Sequence, residues 1–142
     1  IFVLISLISY SPDDPNFIFP ENTKINNLIG FQGSFTADLF FQSLGLIALL
    51  IPFSFIFTGI NIILNKKVIL LIESFFYTIV YSLFGSLFFS FFYPNAFKFY
   101  INGNGGFVGK YLESNFIKSL INFQPNISYY ILILIVLTFF FN

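Results

Sequence analysis

Twelve side chains in this 142-residue sequence carry charge at neutral pH, six lysines and six carboxylates, and cysteine and histidine are both absent. That inventory excludes disulfides, thiolate or imidazole metal sites and cysteine nucleophiles. No nucleophile with its base, catalytic acid–base pair or metal cluster can be assembled from the remainder, so no catalytic residue, cofactor or metal is expected. Four places still invite a chemical reading. Asp38 stands in GFQGSFTADLFFQSLG, residues 30–45, at the mouth of a run that stays uncharged until Lys66. Glu73 is the one carboxylate inside the third apolar region, where an acid is by default suspected of moving ions or protons. It lies under two turns from Lys67 with no second titratable group at depth, which places it at an interface beside that lysine. NGGFVGKY, residues 104–111, has the outline of a phosphate-binding loop, but Asn104 replaces the first glycine and Tyr111 the magnesium-holding Ser or Thr. Ser54, Thr58 and Asn61, about one turn apart with Gly59 beside them, suit a helix contact better than a substrate site.

The elements that must position these residues follow from composition. Apolar residues make up 57% of the chain and charged ones 8%, whereas a soluble domain is about one quarter charged. The solvent to reason in is therefore a lipid bilayer. The acidic and basic residues balance, leaving no field that would attract nucleic acid. Uncharged stretches at 39–65, 74–97 and 119–142 each reach the ~20 residues a helix needs to cross the hydrocarbon. Ile1–Tyr10 lacks the basic start and cleavage site of a signal peptide and reads as the end of a truncated span. The absence of methionine likewise predicts a chain that begins inside a longer protein. Four spans result, in one domain covering residues 1–142. Lys66 and Lys67 occupy the shortest connection, which the positive-inside rule makes cytoplasmic, with both chain ends on the same side. Lys98, Lys110 and Lys118 weigh against this but are spread along a longer segment that also holds Glu113.

An offset of 76 superposes GFQGSFTADLFFQSL on GFVGKYLESNFIKSL, with Gly30/Gly106, Gly33/Gly109 and Phe40/Phe116 among the identities. At four-residue spacing Ser34, Asp38 and Gln42 form a polar stripe, matched by Lys110, Ser114 and Lys118, while Phe40 and Leu44 align with Phe116 and Leu120 on the other side. The pattern predicts a duplicated unit of span, outer loop, interfacial amphipathic helix and returning span, with repeats at about 1–64 and 68–142. In this reading Gly30 and Gly33, like Gly106 and Gly109, allow turns and close backbone approach. Asp38 then lies on the watery face near the positive helix start. There a carboxylate costs little, against ~2.5–3.5 kcal/mol at the bilayer centre. Gly45 marks a bend into the membrane, and Pro52 kinks the span that follows. Whether Gly30, Gly33 and Asp38 do more than start a helix, for instance by contacting a partner, stays open.

ISYSPDDPNF at 8–17, followed by NLIGFQGSFTADLFFQSLGLIALLIPF at 27–53, resembles the N-terminal four-span membrane domain of the FtsK/SpoIIIE-type bacterial DNA translocases. The resemblance is carried by Ser9, Tyr10, Ser11, Pro12, Asp14, Pro15, Gly30, Gly33, Ala37, Asp38, Leu39, Gly45 and Pro52. It extends to GGFVGKYLES at 105–114, with Lys110 and Lys118 as departures. It implies an all-α integral membrane domain that anchors its parent in the bacterial cytoplasmic membrane at the division septum. It also implies contact with other division-site membrane proteins and homo-oligomerisation through the parent protein. ATPase and DNA-binding functions would reside elsewhere in that parent, so this segment would contact lipid but no nucleic acid and would not be an enzyme. The alternative is a small transporter or channel module built from the duplicated hairpin. It would call for polar residues at the midplane or facing broken helices, and only the bend near Gly45 and Pro52 offers anything of that kind. A passive anchor without a specific partner is the third reading.

Overall fold

A computed structural model describes residues 1–15, 24–94, 102–117 and 126–141, and every regular element among them is helical. Helix α1 covers Phe2–Ile8 and α2 covers Phe31–Leu44. A 3-10 segment, Gly45–Leu49, leads into α3, Leu50–Asn65. Helix α4 runs over Leu70–Phe92, α5 over Gly106–Leu112 with a π turn at Glu113–Ile117, and α6 over Ile127–Phe140. Two stretches, Phe31–Asn65 and Leu70–Phe92, are long and apolar enough to cross a membrane, and the apolar part of α6, Tyr129–Phe140, is shorter. At 1.5 Å per residue, α4 alone reaches ~35 Å, more than the hydrocarbon thickness.

Phe31–Asn65 is not one straight rod. Gly45 has φ 72° and ψ −149°, a conformation that ends α2 and reorients the chain before the 3-10 segment begins. The bend expected at Gly45 is thus where the helix breaks. The kink expected at Pro52 is not needed: Pro52 falls in the first turn of α3, where its missing N–H costs little. At the other end Lys66 takes a left-handed φ of 54° and donates its N–H to Ile62 O at 2.8 Å, closing α3 just before the short lysine connection.

Helix α4 is the central element, packed against α3, α5 and α6, while α2 packs against α1 and α5. Two apolar clusters result, one of Ile47, Ile51, Tyr81, Leu87, Phe88, Ile131 and Ile135, the other of Leu7, Ala37, Phe41 and Ala48. Bulky residues also face outward, among them Phe53, Phe57 and Ile60 on α3 and Phe75, Phe76 and Ile79 on α4. Small hydroxyl residues face inward. Ser74, Thr78, Ser82, Ser86 and Ser90 repeat every four residues along α4 and all are buried. Because a helix turns 100° per residue, such a row drifts ~40° per step, or ~160° from Ser74 to Ser90. It therefore serves α3 at one end of α4 and the helix break and α5 at the other. Ser74 Oγ accepts from Thr58 Oγ1 at 2.6 Å, and Tyr81 OH is 2.8 Å from Ser54 Oγ. Near the far end Ser86 Oγ donates to Leu44 O at 2.8 Å and Ser90 Oγ to Glu113 Oε2 at 2.6 Å. In lipid, helices adhere through small residues and such hydrogen bonds, because hydrocarbon supplies no hydrophobic drive between them. The contact expected from Ser54 and Thr58 is made. Asn61 instead is exposed, and a Cβ at Gly59 would meet nothing within 4 Å.

Candidate functional site

Two polar knots gather most of the residues singled out in the sequence. The first ties α1 to the start of α2. Asp14, 4% exposed, accepts the backbone N–H groups of Asn26 at 2.7 Å and Asn27 at 2.8 Å. The Asn27 amide donates to Ser6 O at 2.9 Å and Ser9 O at 3.2 Å, and its Oδ1 accepts from Ile29 N at 3.1 Å. Ser9 Oγ in turn donates to Ile5 O and accepts from Leu28 N. The carbonyls that α1 leaves unpaired at its end are thereby satisfied by a side chain 18 or more positions away, and the incoming strand of backbone is satisfied by Asp14. A Cβ on Gly33 would collide with the Asn27 and Ile29 side chains, so α2 can approach this knot only without one.

Asp38 corrects the sequence reading. It was expected on a solvated face, but it is 7% exposed, as Ser34 is 2% exposed. The stripe turns inward because α1 and the segment after it lie across that side of α2. Ser34 Oγ donates to Pro15 O at 2.9 Å, Tyr10 OH reaches Asp38 Oδ1 at 3.4 Å, and Gln42 Nε2 reaches the same oxygen at 3.3 Å. The Tyr10 ring rests on Phe41 with centroids 4.9 Å apart. In the second unit Lys110 and Ser114 are exposed as expected, while Lys118, Leu120 and the Phe116 side chain lie outside what the structure describes. The two stripes thus differ in environment. The second amphipathic segment is helical over 106–117, as α5 and its π turn, and 118–120 lie outside the described residues.

The second knot closes the helix break. Interrupting a membrane helix frees backbone groups that water cannot reach, each of which needs a partner inside the protein. Leu46 N–H donates to Asn104 O at 2.9 Å, Leu44 O accepts from Ser86, and Gln42 O accepts from Asn102 Nδ2 at 3.2 Å. Asn102 N–H also donates to Gln42 Oε1 at 3.2 Å, and Asn104 Nδ2 donates to Tyr93 O. Residues 102–106 approach this closely because of glycine: side chains at Gly105 or Gly109 would strike the Ser86–Ser90 stretch of α4, and one at Gly106 would strike Ser43 and Gly45. Gly30 and Gly106, equivalent under the offset of 76, have φ of 75° and 63°. Pro52 is buried at the start of α3, and Glu73 is exposed in the first turn of α4.

Sequence reasoning missed Asn27, Asn104 and the α4 hydroxyl row. The row was visible as Ser or Thr at every fourth position from 74 to 90. The two asparagines carried a weaker signal, each lying two or three residues before a glycine that starts a helix. Chemically the arrangement fixes backbone, and among the described residues it brings no reactive pair together. Among the described residues no three Asp or Glu side chains converge in a way that would hold a metal ion.

The family model for the 4TM region of DNA translocase FtsK/SpoIIIE matches residues 1–142. Two curated relatives share this signal. A DNA translocase FtsK of Rickettsia typhi is 39% identical over 59 residues, which is 42% of this chain and 8% of that protein. One of Rickettsia bellii is 40% identical over 55 residues, 39% of this chain and 7% of that protein. The aligned stretches are thus a small fraction of those relatives. No solved structure matches the chain.

Proposed function

The chain belongs to the FtsK/SpoIIIE 4TM-region family, and on that premise we propose that it anchors a DNA translocase in the bacterial cytoplasmic membrane and directs it to the division septum. The family match over the whole chain carries this reading. The ATPase motor of the parent protein lies outside this segment, whose own work is mechanical: holding the parent in the bilayer and presenting an outer surface to other division-site membrane proteins. The parent assembles as a homo-oligomer.

We read the domain as four spans in two related hairpins. The shared positive φ at Gly30 and Gly106 supports the relation, as does a helix following each glycine. In this arrangement α1 is the outer end of the first span, and the Lys66–Lys67 connection faces the cytoplasm together with both chain ends. Asp38 acts as a clamp between α1 and α2, and a direct partner contact through it is disfavoured by its burial.

The test is septal localisation of a fluorescent fusion carrying this domain without a motor. Enrichment at septa, retained by Asp38→Asn at equal membrane level, is the expected result. Uniform membrane fluorescence of the unaltered domain would refute septum targeting by this segment, and selective loss of enrichment in a stably inserted Asp38→Asn variant would restore a recognition role for that residue.

A further inference from the structure

Between the 3-10 segment, the start of α3, α4 and α6 lies an apolar cavity of about 410 Å3, with Leu50, Phe89 and Ile135 among its walls. A second cavity of about 280 Å3 shares Phe88 and Leu132 with it and adds Tyr93 and Tyr129. The two form one groove that is hydrocarbon along its length and phenolic at one end. We propose that this groove holds an acyl chain of a bilayer phospholipid, with the glycerol ester region at the tyrosine end.

Chain direction supports the assignment. Helix α4 runs outward from Phe88 and Phe89 to end beside Tyr93, and α6 starts next to Tyr129 and runs the opposite way through Leu132 and Ile135. Both helices therefore bring phenol groups to the same end, as at the level where tyrosine marks a membrane–water boundary. The polarity gradient along the groove has the sense of a lipid entering from that boundary. A flexible acyl chain can follow the bend between the two cavities, where they meet at Phe88 and Leu132. Among the described residues the walls of both cavities are hydrocarbon and phenol, which suits the site to gripping the acyl and ester part of a lipid. The proposal rests on α4 and α6 being membrane spans.

The domain is reconstituted in bilayers containing a phospholipid with a photoreactive group on its acyl chain, and labelled peptides are mapped by mass spectrometry. Labelling of α4 and α6 peptides should exceed that of the exposed α3 face several-fold. It should fall several-fold in Leu132→Trp, which fills the waist of the groove, and in Leu50→Phe, which narrows it from the opposite wall. Both effects should hold in variants whose helicity matches the parent, and Phe57→Trp on the exposed face of α3 should leave labelling unchanged. Even labelling around the domain, or labelling indifferent to both groove-filling variants, would overturn the proposal. So would a photoreactive residue at Ile135 that cross-links to a second copy of the chain or to residues 118–125 in place of lipid. Partition of the domain into the aqueous phase would instead overturn the membrane reading on which the proposal rests.

Discussion

Placing an alanine at Gly45 should weaken the domain far more than placing one at Gly59, although both sites lie in the same apolar stretch. Gly45 sits at φ 72° and ψ −149°, a region populated almost only by glycine, and holding another residue there costs ~1–3 kcal/mol. Its new Cβ would fall inside contact distance of the Asn104 carbonyl. That same carbonyl accepts the Leu46 N–H at 2.9 Å, and loss of the bond adds ~0.5–1.5 kcal/mol. Together these give ~2–4 kcal/mol, a large fraction of the 5–15 kcal/mol that holds a typical domain folded. At Gly59, inside α3, an added Cβ meets nothing within 4 Å. Helix propensity there favours alanine by up to ~1 kcal/mol. The chain has no tryptophan, so unfolding is best followed by pulse proteolysis in mixed micelles across a denaturing-detergent series. Gly45→Ala should unfold at markedly lower denaturant and Gly59→Ala at equal or higher denaturant than the parent. A Gly45→Ala variant as stable as Gly59→Ala would refute the claim that the break depends on that backbone conformation and on its closure by residues 102–106.

Asp14→Ala should cost ~1–3 kcal/mol in the same assay, since the buried Asn27 amide loses its acceptor while the Asn26 amide, at an exposed residue, can turn to water, with Asp14→Asn intermediate; a neutral Asp14→Ala would show that water reaches the knot. A double-mutant cycle between Ser54→Ala and Tyr81→Phe should give a coupling of ~0.5–1.5 kcal/mol, the scale of hydroxyl pairs between membrane helices, and zero coupling would remove the 2.8 Å bond from the account. A reporter active only outside the cytoplasm should be silent when inserted after Lys67 and active after Asp13, both exposed positions, and the reverse pattern would invert the proposed orientation.

The helical character of the described residues and the break at Gly45 were legible in the sequence, because span length and glycine placement are constraints that lipid enforces residue by residue. Asp38 was misread for a reason rooted in the same physics. Hydropathy and helical spacing locate a polar stripe but not its direction, and a stripe can face water or face protein with equal spacing. Only the return of Tyr10 and Pro15 across α2, a contact between distant positions, decides it. The α4 row was missed because serine and threonine are nearly neutral in hydropathy, so the stretch 74–97 was read for its length and its four-residue hydroxyl repeat was passed over. Asn27 and Asn104 act through backbone carbonyls and amides brought near by folding, which residue identity alone does not reveal.

The closure at Gly45 also imposes an order on biogenesis. Gln42 finds its partner Asn102 only 60 positions further along, and the Leu46 amide waits for Asn104 in the same way. At ~5–20 residues per second, those groups spend several seconds at the insertion machinery before their acceptors and donors exist. The nascent first half must therefore keep the break near water, or continue it transiently as unbroken helix, until the NGNGG segment emerges and plugs it. Synthesis of the second half completes the first, and a chain truncated before residue 102 would present quality-control proteases with an unfinished membrane helix.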